Sequence, residues 1–550
     1  MVKKYPMVSH IALAAALLSS TAAFAQTAAP SPAPPLPAPA PAATAASPLL
    51  PVYPPASPVG AGPTPPAESN FFTRLYHAYA DEWGLPAAPT DPNAPPGPPS
   101  RRPPPWPPAP ESSPPMPFAD WPNGGNDYIG ASTPNAVDSP LMKAIGTDNI
   151  VGQTLNDEHI QIYGWINPGG NVSSAKTGYN GNAPAAYAFT PNIIDLDQAV
   201  VYIERVPDTV QQDHIDWGFR VSGIYGENYR YTEAFGFFSN QFDYGNHFAG
   251  YDMPMVYAEM YIPYVAQGLE FRLGRYISVP DIEAQLAPNN YMYSHSMTYA
   301  WDNYTNEGFI GTLKLTKNWQ VQLGITVGTE TTPWNGTHVS YINPATGYPG
   351  YQGARDPGFQ PSGTACVQYM SDSGWDTVYL CSDGLNNGAY GFNNLQWDGG
   401  TYYHKFNDQW HISMEAWYMF GKNGPSVDTG FANSFAVNIL PTNRPNPLVC
   451  PQGESYCTAR AWSTLFYLNY QFSPLDNISL RGEFMDDIDG WRTGFATAYF
   501  NQAIGWQHWF SPQVEVRPEI AWYHALNAPA FDNGTKHAIT IISGDVIWHF

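Results

Sequence analysis

The sequence predicts an all-β protein: a transmembrane, antiparallel, up-and-down barrel of about fourteen strands, with twelve and sixteen as the neighbouring even counts, behind a proline-rich N-terminal leader. Three observations predict it. Stretches of 9 to 14 residues alternate apolar with polar or small side chains, the connections between them alternate short with long, and the chain ends on an aromatic strand at Phe550. Period-two alternation over such lengths is a strand signal. Tight turns alternating with long loops are what a barrel places on the two sides of a membrane.

The N-terminus sets the compartment. Lys3 and Lys4 precede an apolar run from Ile11 to Leu18, and Ala23-Phe24-Ala25 forms a small-x-small cleavage site. This is the pattern of a secretory signal peptide over 1–25, with the mature chain starting at Gln26. From Gln26 to Pro117 lie 31 of the 57 prolines. Such a leader buries no apolar surface and reads as an extended periplasmic spacer. One island interrupts it: over 69–84, Phe72, Leu75, Tyr76, Tyr79 and Trp83 fall at helical spacing, with Ser69 as the expected cap and Gly84 with Pro86 as the stop. This short amphipathic helix either packs on the main domain or a periplasmic partner, or stands without one. A pre-barrel segment, 118–156, follows.

The barrel occupies 157–550. Fourteen segments carry the strand pattern, near 158–166, 195–206, 214–226, 255–264, 267–276, 306–316, 318–329, 391–405, 409–421, 461–472, 477–486, 494–510, 513–524 and 535–550. In the third, Ile215, Trp217, Phe219, Val221 and Tyr225 share one face, and Asp216, Gly218, Arg220 and Ser222 the other. Connections after even strands are short. Those after odd strands are mostly long, the longest being 61 residues between the seventh and eighth. An even count leaves both barrel ends in the periplasm.

Composition excludes the competing classes. Only 13% of residues are charged, where an ordinary soluble protein has roughly 25%. The chain has 18 Trp, 36 Tyr and 27 Phe, too many for a disordered chain. Past the N-terminus no apolar run reaches the ~18 residues of a spanning helix. Nucleic acid is excluded as a partner by 23 basic residues against 46 acidic, a net charge of −23. Cys366 and Cys381 lie 15 apart and Cys450 and Cys457 lie 7 apart, neither being a zinc spacing. The reading is two disulfides between near neighbours, each tying a loop, with four free thiols as the alternative.

The last strand puts Ile542, Gly544, Val546, Trp548 and Phe550 on one face. Trp548 and Phe550 resemble the terminal signal that outer-membrane barrels present to their assembly machinery. Further stretches carry a wider likeness: Ile160 to Asn167 (IQIYGWIN), Tyr202 to Thr209 (YIERVPDT), His214 to Arg220 (HIDWGFR), Tyr261 to Asn290, Asn386 to Gly391 (NNGAYG) and Trp548-His549-Phe550. From about Phe118 to Phe550 the chain resembles the β-barrel porin family of the second type, OmpL-like. That resemblance implies an outer-membrane barrel and a pore, and no particular solute. It does not reach the leader or the cysteine pairs.

With apolar faces on lipid, Asp216, Arg220, Glu259, Glu270, Arg272, Lys314, Glu415, Arg481, Glu483, Glu515, Arg517 and Glu519 turn into the lumen. A charge on the lipid face at mid-membrane would cost roughly 2 to 4 kcal/mol. Two readings stay open: a pore lining with weak, slightly cation-favouring selectivity, or salt bridges that stiffen the wall and partly fill the lumen. By analogy with trimeric porins, the third long loop, Ser278 to Asn306, folds inward as a constriction carrying Asp281, Glu283, Tyr291, Tyr293 and His295. An ordinary surface loop is the alternative. Asp486, Asp487 and Asp489 read as a solvated acidic turn. No catalytic constellation, metal site or cofactor is expected.

The function expected is diffusion of small hydrophilic solutes through an outer-membrane porin. The alternative is a closed or plugged barrel acting as a structural, adhesion or binding protein through disulfide-tied outer loops. Expected partners are outer-membrane lipid, the barrel assembly machinery during biogenesis, peptidoglycan or a periplasmic protein through the leader, and further copies in a homo-oligomer.

Overall fold

The computed structural model of the protein describes residues 70–84 apart from 82, and 139–550 apart from 177, 179–180, 208–210, 233, 235–247, 278–280, 289, 304, 331, 333–339, 343–348, 352–360, 373–374, 389–394, 408, 426–455, 474 and 512. The barrel strands are β1 (Ile160–Ser173), β2 (Ile194–Arg205), β3 (Asp216–Gly226), β4 (Gly250–Asp252 with Val256–Ile262), β5 (Leu269–Ile277), β6 (Thr305–Lys314), β7 (Trp319–Thr329) and β8 (Ser362–Met370). They continue as β9 (Asp376–Asp383), β10 (Gln396–Lys405), β11 (Trp410–Pro425), β12 (Tyr456–Ser473), β13 (Asp476–Asp487), β14 (Thr497–Ser511), β15 (Val514–Val516 with Glu519–Ala525) and β16 (Ala538–His549). A separate hairpin pairs Ser340–Ile342 with Pro349–Tyr351.

Each barrel strand pairs antiparallel with the next, and β1 pairs back onto β16, from Trp165 opposite His549 to Ser173 opposite Ile541. At this seam Gly164 and Phe550 exchange backbone hydrogen bonds of 3.1 and 2.9 Å. A Cβ on Gly164 would stand 2.8 Å from the Phe550 ring. Closure leaves no strand edge, which lets the backbone satisfy its polar groups inside a membrane. Two strands are broken at prolines, which have no N–H to give the ladder. Met253-Pro254-Met255 divides β4 and Arg517-Pro518 divides β15.

The count is therefore sixteen, not fourteen. All fourteen expected segments are strands. The two extra ones, β8 and β9, lie in the 61-residue stretch that reads as one outer loop. Their outward residues explain why: Gly363 and Ala365 in β8 give almost no apolar contrast to Ser362, Thr364, Cys366 and Gln368, which face inward. The short-long rhythm survives the correction, because five residues separate β8 from β9 and twelve separate β9 from β10.

Cys366 and Cys381 form a disulfide and stand directly opposite each other in the β8–β9 ladder. The bridge thus joins two wall strands and does not tie a loop, as the sequence reading had it. The second expected pair includes Cys450, which lies outside the described residues. Cross-linking a loop of 15 residues is worth at most about 3 kcal/mol in the chain-entropy account. A Cys366→Ser/Cys381→Ser variant is expected to keep the barrel and lose up to that amount in urea unfolding from lipid vesicles. An unfolded variant would show that the bridge is needed for folding.

Along the strands, burial alternates as the pattern predicts. In β3, Asp216, Gly218, Arg220 and Ser222 are buried, while Trp217 and Tyr225 are half exposed on the outside. Leu323, Ile325, Leu380 and Ile542 are among the most exposed apolar groups of the wall. Outward aromatics gather beside the tight turns, where Trp319 meets Tyr369 at 4.8 Å and Trp410 stacks on Tyr470 at 4.4 Å. Aromatic girdles of this kind mark a membrane interface.

Three helices lie at the turn end of the barrel: α1 (Phe71–Ala80), α2 (Pro140–Ile145) and α3 (Ile150–Asp157). Asn70, next to the expected Ser69, caps α1 by accepting from the Thr73 N–H at 3.1 Å. Arg74 donates to the carbonyls of Ala144 and Ile145, which end α2, at 2.9 and 3.1 Å. The Tyr79 hydroxyl donates to the His549 carbonyl at 2.7 Å, and Trp83 stacks on Phe510 at 5.2 Å. The helix therefore rests on the barrel at the ends of β16 and β14.

Candidate functional site

The interior of the barrel is the candidate site. Of the twelve charged residues expected to face inward, eleven are buried, and Lys314 is partly so. Register explains their pairing. Arg220 lies opposite Glu204 and is held at 2.7 Å; Arg272 lies opposite Glu259 and is held at 2.9 Å, with Glu270 at 3.4 Å. The guanidinium of Arg272 also sits 4.3 Å over the Tyr257 ring. Asp216 pairs with Arg205 at 2.9 Å, and Arg517 with Asp545 at 2.5 Å. His549 lies 3.6 Å from Glu515. Cations and anions on this inner face are largely matched across neighbouring strands.

The segment between β5 and β6, here L3, runs inside this charged shell. Asp281, Glu283, Tyr291, Tyr293 and His295 are all nearly inaccessible. Three of the expected lumen acids hold its backbone. Glu415 accepts from the Ile282 N–H at 3.0 Å, and Glu519 from the Ser294 N–H at 2.9 Å. Glu483 accepts from the N–H groups of Met297 and Thr298 at 3.0 and 2.9 Å, at the start of a single helical turn, Met297–Ala300. From the bases, Arg481 donates to the Ser294 carbonyl and Arg517 to the Ala287 carbonyl, each at 2.6 Å. Glu283 turns back to cap the same turn, accepting from Ser296 and from the Tyr467 hydroxyl. L3 thus bonds to β11, β12, β13 and β15 and lies across the barrel interior.

The aromatics of L3 join other inward segments. Tyr187, from the loop after β1, stacks between Tyr231 at 4.2 Å and His295 at 3.5 Å. Burial holds the His295 imidazole well below its usual value, so the ring is neutral in this stack. Tyr293 donates to Asp197 at 3.2 Å. A Cβ on Gly169 would stand 1.9 Å from Asp197 Oδ2 and 2.8 Å from Tyr293, so a larger residue there would have to displace both side chains. Tyr291 reaches Ser413 at 3.1 Å and His411 at 3.0 Å.

The sequence profile of the family described as "Putative beta-barrel porin-2, OmpL-like" matches residues 159–550. The chain belongs to this family. It is an outer-membrane barrel of the porin type. The porin-2 barrel also matches solved porins. The anion-selective porin from Comamonas acidovorans is 8% identical, with 71% of this chain and 99% of that chain covered, at a TM-score of 0.42. The outer-membrane channel DcaP of Acinetobacter baumannii is 10% identical, with 71% and 97% covered, also at 0.42. A porin of Rh. blastica, as a mutant, is 12% identical, with 71% and 100% covered, at 0.35. No curated protein matches the chain.

Several interior residues of the porin-2 barrel escape the sequence reading. Glu204 and Asp545 sit at alternating positions of β2 and β16 and were readable from period two alone. Asp197 is hidden by the bulge that shifts register at Asn167/Pro168. Arg492 and Glu330 pair at 2.8 Å from two different outer connections, and nothing local signals them. The acidic turn is not a solvated one: Asp487 is fully buried and accepts from the N–H groups of Trp491, Arg492 and Thr493. Asp489 pairs with Arg460 at 3.2 Å.

Proposed function

We propose that this barrel is an outer-membrane channel through which small hydrophilic solutes and ions diffuse past L3, with its leader in the periplasm. One observation supports this reading above the others. The closed barrel turns charged and polar side chains to its interior, across which L3 lies, and these include a neutral polar strip on β7–β9. The side-chain oxygens of Gln320, Ser362, Gln368 and Thr377 and the Gln368 amide nitrogen are buried without a protein partner. Buried polar atoms of this kind are normally hydrogen-bonded, and a passage that opens past L3 beside this strip would bring water to them. The twelve charged residues and the five L3 residues then act as the frame of the passage, and selectivity by charge is weak.

Planar-bilayer recording of the purified chain tests the reading. Ohmic single-channel steps are expected. A folded, heat-modifiable protein that stays electrically silent would favour the closed, binding barrel instead. Gln368→Trp should lower the conductance if the strip carries the current.

A further inference from the structure

The two ends of L3 come together on the wall at a cluster the channel reading does not use. Asp281 at its start, Asp302 near its end and Glu415 on β11 are buried, at 0%, 0% and 3% exposure. One carboxylate oxygen from each lies within 4.8 Å of the others. Both oxygens of Asp281 and Oε1 of Glu415 accept no hydrogen bond. The nearby Arg492 is engaged elsewhere, ion-paired with Glu330 at 2.8 Å and donating to the backbone carbonyls of Trp301 and Asp302.

A second observation points into the same place. Thr401 lies directly opposite Glu415 in the β10–β11 ladder, faces inward and is 3% exposed, and its hydroxyl has no partner. Cross-strand neighbours on one face bring their Cβ atoms to about 4.5 to 5.5 Å, so this neutral oxygen stands beside the Glu415 side chain. Three carboxylates gathered out of water are costly unless a proton or a cation is shared among them.

We infer that Asp281, Asp302 and Glu415, with the Thr401 hydroxyl, form a binding site for a divalent cation of the calcium class. The donors are all oxygen, which suits a hard cation. Two oxygens bound to one calcium ion at 2.3 to 2.6 Å are at most about 5 Å apart, so the observed spread lets one ion touch all three carboxylates. Nitrogen and sulfur donors, which softer metals prefer, are missing from the group. A second acidic cluster, Asp195, Asp197 and Glu227, is a weaker candidate, because Arg230 stands 3.8 Å from Glu227 and already brings positive charge. An ion at the first cluster would fasten both ends of L3 to β11 at once.

Terbium(III) is the probe, because Trp301 adjoins Asp302 in sequence and Trp417, on the inner face of β11, donates to the Thr298 carbonyl of L3 at 3.1 Å. Full-length protein refolded into detergent micelles should give tryptophan-sensitised terbium emission that saturates and is competed away by calcium. The Asp281→Asn/Glu415→Gln variant should lose it, and Thr401→Val should weaken the affinity by about tenfold or more, the scale of supporting contacts at metal sites. Calcium should raise the unfolding temperature of the parent and EDTA should lower it. Heat-modifiable migration reports whether each variant has folded. If the double variant does not fold, the parent and Thr401→Val decide. A folded parent without saturable emission overturns the proposal, as does undiminished emission from a folded double variant. Stability that rises on acidification but ignores calcium would mark a cluster that shares protons instead, and would overturn it too.

Discussion

A Glu483→Ala/Glu519→Ala variant is expected to fold as a barrel and to conduct more than its parent. These two carboxylates accept from the N–H groups of Ser294, Met297 and Thr298 and from the hydroxyls of Ser294 and Thr298. A hydrogen bond to a charged group is worth about 1.5 to 3 kcal/mol. The loop therefore loses several kcal/mol of anchoring, less than a simple sum because the bonds share one short turn. The β-ladders on either side of Glu483 and Glu519 do not depend on those side chains. Ties to Glu415 and Glu283 remain, so L3 should spend part of its time away from its seat without leaving the barrel. Single-channel recording should show larger and noisier steps. Unchanged conductance from a folded variant would mean that L3 does not limit the passage.

Arg517→Ala should destabilise the barrel by about 3 to 5 kcal/mol, the cost of breaking a buried pair from one side. Arg517 is 1% exposed and pairs with Asp545 at 2.5 Å on β16, while its other nitrogen donates to Ala287 of L3 at 2.6 Å. Its removal strands the Asp545 carboxylate, which keeps only the Asn167 amide at 2.8 Å. Adding Asp545→Asn should recover part of the loss by removing the uncompensated charge. Urea unfolding from lipid vesicles measures both. A loss below about 1 kcal/mol, the size of an exposed ion pair, would refute the buried-pair account.

Much of this architecture was legible in the sequence because a membrane-spanning strand obeys a severe rule. Lipid excludes charge from every second position, so Asp216, Arg220 and Glu259 declare their side even without a structure. The rule fails where the outward residue is small. Gly363 and Ala365 satisfy lipid poorly enough to erase β8 from the pattern, and β9 went with it. What the inward groups touch was not legible either. Tyr187 meets His295 across 108 positions of chain, and no local period encodes such a contact. The carboxylates of Glu415, Glu483 and Glu519 were placed on the correct face, but their engagement by L3 depends on how a loop of irregular backbone falls, which side-chain alternation does not govern. The Cys366–Cys381 pair was foreseen from compartment and proximity, and its place on the wall followed only from the register.

The meeting of β1 with β16 also changes what the chain ends mean. Ile160 and His549 are the bounds of neighbouring strands, and Tyr79 donates to the His549 carbonyl while Ser139, which caps α2, lies 3.3 Å from the Ile162 carbonyl. In space the barrel sequence is a ring that happens to be cut at this point. A circular permutant that joins Phe550 to the start of β1 by a short linker and opens a new cut in an outer loop would keep every strand neighbour it now has. Only the leader would lose its footing, since α1 reads the present cut and no other.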